Sequence, residues 1–502
     1  MHYRPYPKSE PLLQVYDPDD LPDDHLARLV EQVVEEAELP SVSKELLGQP
    51  AFNPGLMAKV LIFGYATGAR SSRQLERLCR ENLAFLYLTR GDTPSYRTLC
   101  HFRVEERELL EQVWVVLFAV AEAAGLQRLG RIVVDSSKFK ADASPEAVIK
   151  AEDYERFKAE FRRIQSEANA KDRLDEEGTP GTTQLGQTVK PEQMRDILRR
   201  VRSQKAAEAR GEPPAMSAKE PARLGAEMLP RLEVALQTIE AAERDGLKHA
   251  CLTDPDARML PEGREKHIHE CHSFEVAVDQ DTGLLVAGQT TQENDARRLE
   301  PLVEAATPHE PCGVVAVTGD SGYYQGEAIA RLSESGIDTC VPDGMTAHKM
   351  RDGSLASAPS PTALRYDAER DVFICAKEKR LVPTNKRYRG GREMQLYRVE
   401  EDCTGCPLAA MCFQNKPGKW RETARALEPD NPVDVALAQF LKPERQERYR
   451  NRGKVVETVF AFLRRVLGYS RWMVRGRERV SAEGSLFKCA YQFRKVHSAL
   501  KG

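Results

Sequence analysis

The chain has 502 residues, of which 41% are hydrophobic and 30% charged, and this is typical of a globular protein of roughly two to four domains. No apolar run approaches the roughly 20 residues that span a bilayer, and the N-terminus has no signal-peptide core, so we expect a cytoplasmic protein without a membrane partner. The net charge of −3 hides a balance of −7 over residues 1–45 and of +11 over residues 441–502. This basic end is interleaved with apolar residues and favours a nucleic-acid partner, a solvated tail being the alternative.

Residues 26–125 carry the apolar spacing of helices and follow a Pro- and Asp-rich arm at residues 1–25. Helix-start signals at Asn53-Pro54, Ser71 and Ser95 support this interpretation. We therefore predict a helical, DNA-binding N-terminal part, a structural helical collar being the alternative. Its basic side chains available for phosphates are Arg73, Arg77, Arg97, His101 and Arg103.

After Gly130 the pattern changes to that of strands. Apolar segments predict strands at residues 131–135, 314–318 and 337–341, and a hairpin at residues 267–279 and 284–291. A helix at residues 325–335 indicates a βαβ step between the last two strands. Residues 150–250 interrupt this sheet, and we expect a helical insertion with a Gly/Thr/Pro-rich break at Glu177 to Gln187.

Three carboxylates stand out from this pattern. Asp135 and Asp320 are expected at the ends of strands, and Glu457 lies on a late basic helix whose apolar residues point to the core. Two Mg²⁺ ions about 3.5–4 Å apart can activate a water or a 3′-hydroxyl and stabilise the leaving oxygen of a phosphodiester. Mg²⁺ prefers carboxylate oxygens, so these residues are a minimal set for such chemistry. A single strand-end aspartate is more often a cap or turn residue.

Several segments carry a family resemblance. They are Phe63 to Glu76, Thr93 to Arg103, Val134 to Lys138, Asp254 to Arg258, Gly319 to Tyr324, Arg452 with Val456-Glu457 and Phe460, Arg475-Gly476, and Leu486 to Lys495. In this order the chain resembles bacterial insertion-sequence transposases of the DDE type (the insertion-sequence eleven-eighty-two group). Ser136-Ser137 replaces the frequent Gly-Thr and Ser321 the usual Ala, and neither change removes a carboxylate.

The resemblance implies an α/β protein with an RNase H-like mixed-sheet catalytic core, a helical N-terminal domain and two insertions. The implied domains are residues 1–125 (helical), 126–343 (first part of the core, with the insertion at about 150–250), 344–445 (Cys-containing basic insertion) and 446–502 (end of the core). The implied catalytic and metal-binding residues, for Mg²⁺ or Mn²⁺, are Asp135, Asp320 and Glu457. The residues expected to contact DNA are Arg452, Lys454, Arg464, Lys138, Arg97 and Arg103.

The function implied is metal-dependent cleavage and strand transfer at the ends of an insertion sequence. The partners would be double-stranded DNA, as terminal inverted repeats and as target, and a second copy of the chain in the synaptic complex. Two alternatives stay open: a domesticated transposase that acts as a DNA-binding regulator without cleavage, and a stand-alone metal-dependent nuclease.

Four cysteines suggest a second metal site. Cys403 and Cys406 are separated by two residues, Cys412 follows, and Cys375 lies upstream of a basic stretch. This spacing predicts a tetrahedral structural Zn²⁺ site, four reduced cysteines without metal being the alternative.

Other polar and aromatic residues compete for roles. Acids expected to be turn, cap or ion-pair residues are Asp254, Asp256, Asp279, Asp281 and Asp295. The segment His267 to His272 is expected to be a polar strand face more readily than a metal cluster. For Tyr469, Trp472 and Tyr491, stacking on an unpaired base and core packing are equally consistent with the sequence.

Overall fold

The computed structural model describes residues 21–37, 52–177, 192–210, 228–262, 267–292, 295–351, 364–367, 369–389, 392–413, 419–426 and 439–501. The chain divides into two compact units, unit 1 (Met1–Arg128, Asp135–Glu293 and Val455–Gly502) and unit 2 (Leu129–Val134 and Asn294–Lys454). None of the described helices is long and apolar enough to cross a bilayer. The Gly/Thr/Pro-rich break predicted at 177–187 lies, after Glu177, outside the described residues.

The regular elements follow the chain in this order. The helices are α1 (Leu26–Glu36), α2 (Pro54–Ala66), α3 (Ser72–Glu81), α4 (Leu83–Thr89), α5 (Tyr96–Glu105), α6 (Arg107–Ala123), α7 (Tyr154–Glu177), α8 (Glu192–Ala209), α9 (Met228–Arg244), α10 (Leu299–Ala306), α11 (Gly326–Glu334), α12 (Gly344–Arg351), α13 (Ala409–Cys412), α14 (Pro443–Ala461) and α15 (Arg477–Lys501). The strands are β1 (Arg131–Lys140), β2 (Val148–Lys150), β3 (His249–Cys251), β4 (Arg258–Glu262), β5 (His267–Asp279), β6 (Leu285–Thr291), β7 (Ala316–Thr318), β8 (Asp338–Cys340), β9 (Arg365–Asp367), β10 (Val372–Ile374), β11 (Arg380–Arg389), β12 (Arg392–Val399) and β13 (Glu422–Ala426).

The N-terminal helices of unit 1 begin where polar caps accept free amides. The Asn53 side chain accepts from the amides of Gly55 and Leu56 before α2, and Ser95 accepts from the Thr98 amide before α5. The last helix, α15, packs against α1, α2, α5, α6 and β6, so the beginning and the end of the chain share one helical layer. This packing matches the structural-collar alternative, and DNA binding by these helices stays a prediction.

Aromatic side chains fill the core beside α15. Trp472 stacks on Phe487 with ring centroids 4.7 Å apart, and Phe139 of β1 meets both rings edge-on. Trp472 and Tyr469 are fully buried and Tyr491 nearly so, because apolar neighbours surround them. Base stacking by these three residues, which the sequence left open, is therefore wrong, and core packing is confirmed.

The main sheet has strand order β4-β5-β1-β7-β8, with β6 also paired to β5. Within unit 1, β5 is antiparallel to both β4 and β6. Within unit 2, residues 131–133 run parallel to β7, and β7 runs parallel to β8. The antiparallel strands β4, β5 and β6 in unit 1 and the parallel strands at residues 131–133, β7 and β8 in unit 2 are the two components of an RNase H-like mixed sheet, so the expected fold class is confirmed. The expected hairpin and the βαβ step of β7, α11 and β8 are also present.

Two segments form their own elements away from the main sheet. In unit 1, α7, α8 and α9 pack with β2 and β3 around a core that includes Phe157, Phe161 and Ile239. In unit 2, β9 to β13 form a separate antiparallel sheet in which each strand pairs with the next along the chain. The helical insertion is thus present, and the second sheet lies within the segment 344–445 that was expected to be a Cys-containing basic insertion. The expected domain boundaries at 125, 343 and 445 stay predictions.

Candidate active site

Asp135 lies inside β1, in unit 1. The expectation that it ends a strand is wrong, because β1 continues to Lys140. Ile132, Val133 and Val134 are buried, and the half-buried stretch begins at Asp135. One carboxylate oxygen of Asp135 accepts the Ser136 amide at 2.8 Å. The strand interior therefore fixes the backbone of an acid that is partly open to solvent.

Asp320 follows β7 by two residues, in unit 2. Its Oδ1 accepts the Gly322 amide at 2.7 Å and caps the short turn Ser321–Tyr323. The flanking glycines are closely packed: a Cβ on Gly319 would lie 3.0 Å from Val134, and one on Gly322 would lie 2.9 Å from Asp320 Oδ1. A larger residue at either position would push on the strand or on the carboxylate itself.

Two arginines fix α14 on the parallel strands of unit 2. Arg448 donates to Thr318 Oγ1 at 2.9 Å and to Asp338 Oδ2 at 2.8 Å. Arg445 lies 2.5 Å from Asp338 and donates to the Thr339 carbonyl at 3.1 Å. Since Thr318 is two residues before Asp320, these contacts set the position of α14 along the end of β7.

Sequence reasoning missed this anchor. The sequence feature that could have indicated this anchor is the three-residue spacing of Arg445 and Arg448, which places both side chains on one face of a helix. A second signal is Asp338 at the start of a strand that is otherwise uncharged.

Arg452 lies one helical turn beyond the anchor. Its guanidinium stacks over the Tyr449 ring at 4.2 Å and donates to the Tyr449 carbonyl at 3.3 Å. Burial raises the pKa of Tyr449, while the charge of Arg452 lowers this pKa and that of Asp320 raises it. The charges of Arg452 and Asp320 therefore both act on Tyr449 within unit 2.

Glu457 lies in the part of α14 that belongs to unit 1. Its side chain is exposed, while Val456, Val459 and Leu463 are buried, as the helical spacing predicted. After Ala461 the helix continues as a π-helical segment, Phe462–Val466. Such segments occur frequently at functional sites.

Two side chains that were predicted to contact DNA form hydrogen bonds within the protein near Asp135. Arg464, on the π-helical segment, donates to Ser137 Oγ at 3.0 Å and to the Lys138 carbonyl at 2.5 Å. Lys138 donates to Ser136 Oγ at 2.7 Å. These bonds hold β1 next to Asp135, and DNA contacts by Arg464, Lys138 and the exposed Lys454 stay predictions.

The two arginines of α5 that were predicted to contact DNA differ in their exposure to solvent. Arg97 is exposed and donates to the Tyr96 hydroxyl at 3.2 Å. Arg103 is 4% exposed and donates to the Arg70 carbonyl at 3.0 Å and to Ser72 Oγ at 2.9 Å. The DNA contact predicted for Arg103 is therefore wrong, because its guanidinium is enclosed and hydrogen-bonded inside unit 1.

The motif at Asp254 and Asp256 is structural. Asp254 is buried, accepts from the Gly476 amide at 3.2 Å and lies 2.9 Å from His272 Nε2. Asp256 accepts the Arg477 amide at 2.8 Å, so the two acids cap the start of α15. His272 is thus committed to the carboxylate of Asp254.

The residues expected to bind metal are all described. Asp135 and Glu457 belong to unit 1 and Asp320 to unit 2. The four cysteines of the predicted zinc site belong to unit 2 and line one cavity. Across the described ranges, no three His, Cys, Asp or Glu side chains form a ready-made group that could hold a metal ion. The donor chemistry of three partly open or exposed carboxylates nevertheless suits Mg²⁺.

Two family models match separate parts of the chain. One, described as a transposase domain (DUF772), matches residues 18–105, and one described as a transposase DDE domain matches residues 374–497. No curated protein matches the chain. Among solved structures, the cryo-EM structure of the piggyBac transposase synaptic complex with hairpin DNA matches over 97% of this chain and 76% of that chain, with 9% identity and a TM-score of 0.30.

Proposed function

The chain is an insertion-sequence transposase of the DDE type, and from this premise we propose that Asp135, Asp320 and Glu457 form its catalytic carboxylate triad. They would hold Mg²⁺ or Mn²⁺, which when bound supplies an activated oxygen nucleophile and stabilises the leaving oxygen. The reaction would be strand cleavage at the ends of the element followed by strand transfer into target DNA. Membership of the eleven-eighty-two group stays a prediction.

The observation that carries this proposal is the anchoring of α14 by Arg448. This side chain bonds Thr318 and Asp338, and it thereby fixes the helix beside the strand that leads to Asp320. A catalytic group must be held within a fraction of an ångström, and a helix anchored to the strand that precedes Asp320 provides such rigidity better than a free loop.

The chain's own residues would divide the work. Asp135 and Asp320 would place hard oxygen ligands at fixed backbone positions, and the exposed Glu457 would complete the set. Arg452, held over the Tyr449 ring, would offset the charge of a bound phosphate or terminal nucleotide. The exposed Lys454 and Arg97 would add phosphate contacts to double-stranded DNA.

Two copies of the chain would act together, because a transposon has two ends that must be joined. We propose a homodimer in the complex with both terminal inverted repeats. Sedimentation of the chain with and without paired end DNA tests this, and a single copy per two ends would contradict it.

The experiment for the triad separates binding from cleavage. Labelled terminal DNA is incubated with Mg²⁺ and with Asp135→Asn, Asp320→Asn or Glu457→Gln protein. Each variant should keep its affinity for the end and lose cleavage by roughly 10³-fold or more, since several kcal/mol of transition-state stabilisation disappear. Glu447→Gln is the matched control, an exposed acid on the same helix that should cut like the wild type.

Undiminished cleavage by any of the three variants would remove that residue from the triad. Specific binding with no cleavage by the wild-type protein would instead support the regulator, which nothing in the structure favours. Cleavage of any DNA without preference for the ends would support the stand-alone nuclease.

A further inference from the structure

Four cysteines of unit 2 line one small cavity. Cys375, Cys403, Cys406 and Cys412 surround a space of about 20 Å³, together with Arg421 and several apolar side chains. All four are free thiols and half-buried. The space holds about one water-sized atom, so it suits a single ion better than an organic ligand.

The first cysteine sits in a tight turn between β10 and β11. The Lys377 amide donates to Cys375 Sγ at 3.3 Å, and the Glu378 amide donates to the Cys375 carbonyl at 2.9 Å. Glu378 has a φ of +58°, a left-handed conformation that non-glycine residues adopt uncommonly. An amide aimed at a sulfur favours the thiolate, which is the form that binds metals.

The other three cysteines lie on the connection between β12 and β13. The Cys406 amide donates to the Cys403 carbonyl at 3.1 Å, and Gly405, with a φ of +78°, closes the turn between them. Cys412 ends α13, and Arg421 donates to its Sγ at 3.1 Å. Each cysteine thus lies in a turn or at a helix end that borders the shared space.

The sheet around these cysteines has a small core. Its fully buried apolar residues are Leu381, Tyr397 and Val399, with Cys375 and Cys403 packed against them. Such a core gives little stability by itself, and small folding units of this kind usually add disulfides or a metal.

We propose that Cys375, Cys403, Cys406 and Cys412 bind one structural Zn²⁺ that joins the β10–β11 turn to the β12–β13 connection. As the side chains stand, no three of the described ligands form a ready-made metal group, so the thiols rotate about χ1 into the cavity that they already line. Arg421 and the Lys377 amide then hold the thiolates from outside, as hydrogen-bond donors commonly do around metal sites. The ion has no part in cleavage.

The test measures metal in the full chain. Protein purified under reducing conditions is loaded with Zn²⁺, desalted and analysed, and a parallel sample is loaded with Co²⁺ for absorption spectroscopy. About one tightly held Zn²⁺ per chain and the strong visible bands of tetrahedral cobalt thiolate are expected. Less than about half an equivalent of Zn²⁺, or a cobalt spectrum without thiolate bands, would overturn the proposal.

Variants then assign the ligands. Cys403→Ser and Cys406→Ser should each abolish the cobalt thiolate spectrum, whereas Cys312→Ser, at an exposed cysteine of the same unit, should keep it. If a serine variant fails to fold, the Zn²⁺ stoichiometry and the cobalt spectrum of the wild-type protein still test the proposal. Loss of two thiols in the unloaded, air-exposed chain without any metal uptake would show a disulfide instead and contradict the zinc site. Because no DNA is present, this test is independent of whether the chain cuts DNA.

Discussion

Unit 1 and unit 2 use arginines in contrasting ways. In unit 1, Arg70 is 7% exposed and bonds Glu483, which is fully buried. In unit 2, the side chains of Arg448 and Asp338 remain 17% and 35% exposed. The difference teaches that an arginine can either stabilise the packing of the fold or position a helix of the proposed site. The burial of the side chain decides between these two roles, and the residue type alone does not reveal this burial.

The buried cluster of unit 1 joins distant parts of the chain. Glu483 of α15 accepts from Arg70 at 2.7 Å, from the Tyr65 hydroxyl at 2.8 Å and from the Met473 amide at 2.8 Å. Removing one partner of such a pair leaves an uncompensated charge inside the protein. The anchor of unit 2 can instead lose a partner and rehydrate, so the comparison predicts stability effects in unit 1 and positional effects in unit 2.

The largest stability effect is expected at Glu483. Glu483→Ala should lower the free energy of unfolding by about 3–5 kcal/mol, because Arg70 then stays buried without its carboxylate. Urea unfolding followed by fluorescence measures the change. Glu478→Ala, on an exposed turn of the same helix, is the control and should change the unfolding free energy by less than about 0.5 kcal/mol. A loss below about 1 kcal/mol at Glu483 would remove the contrast between the units.

A smaller change in stability and a larger one in rate are expected at Arg448. Arg448→Ala should cost roughly 1–2 kcal/mol of unfolding free energy, since its partners are partly hydrated. Cleavage within the protein–DNA complex should fall by roughly 10²-fold while affinity for end DNA changes little, because α14 is no longer held beside β7. Single-turnover cleavage and binding are measured together.

The exposed Arg450 gives the matched control for Arg448, as Arg450→Ala removes the same charge from the same helix without touching the strands. Equal losses of cleavage in Arg448→Ala and Arg450→Ala would mean that charge, and not position, is what α14 supplies.

Arg97 and Arg103 on α5 allow an exposed arginine and a buried arginine to be compared within one helix. Arg97→Gln should reduce the slope of log affinity against log salt by about 0.9, if this exposed side chain meets one phosphate of duplex DNA. Arg103→Gln should leave the slope unchanged and lower the unfolding free energy by about 1–3 kcal/mol, because it is buried. Titration of DNA binding at several salt concentrations measures both slopes. A reduced slope for Arg103→Gln would contradict the structural role assigned to Arg103.

The smallest expected effect is the dependence of the unfolding free energy on pH that arises from Asp254. Burial raises the pKa of Asp254, but hydrogen bonds from His272 and from the Gly476 amide outweigh it and hold this pKa below its ordinary value. The carboxylate therefore contributes stability above the ordinary aspartate pKa of about 4, and this stability is lost as pH falls through the lower folded pKa. Wild-type unfolding free energy should fall more steeply below pH of about 4 than that of Asp254→Asn, and parallel curves would refute this.

The sequence predicted what depends on local pattern. Apolar spacing predicted α1, the β5–β6 hairpin and the β7–α11–β8 step, because each has one face that must be buried. Motif order pointed to Asp320 and Arg452, and the charges of both act on Tyr449 within unit 2. Local sequence is enough here because strand ends and helix faces are defined within a few residues.

What the sequence did not reveal depends on tertiary packing. Arg97 and Arg103 lie on one helix and look alike in sequence, yet only the folded chain shows that Arg103 is enclosed. Asp135 was expected at a strand end because the apolar run stops there, whereas pairing carries β1 on to Lys140. The Arg448 anchor joins residues more than 100 positions apart, and no local pattern encodes such a contact.

The central claim is that Asp135, Asp320 and Glu457 together hold the metal that cleavage requires. Counting Mn²⁺ bound to the protein–end-DNA complex by electron paramagnetic resonance tests it most directly. The wild type and Glu447→Gln should each bind about two Mn²⁺ per active site, and each triad variant should bind fewer at the same Mn²⁺ concentration. Triad variants that bind as many Mn²⁺ ions as the wild type would contradict the account.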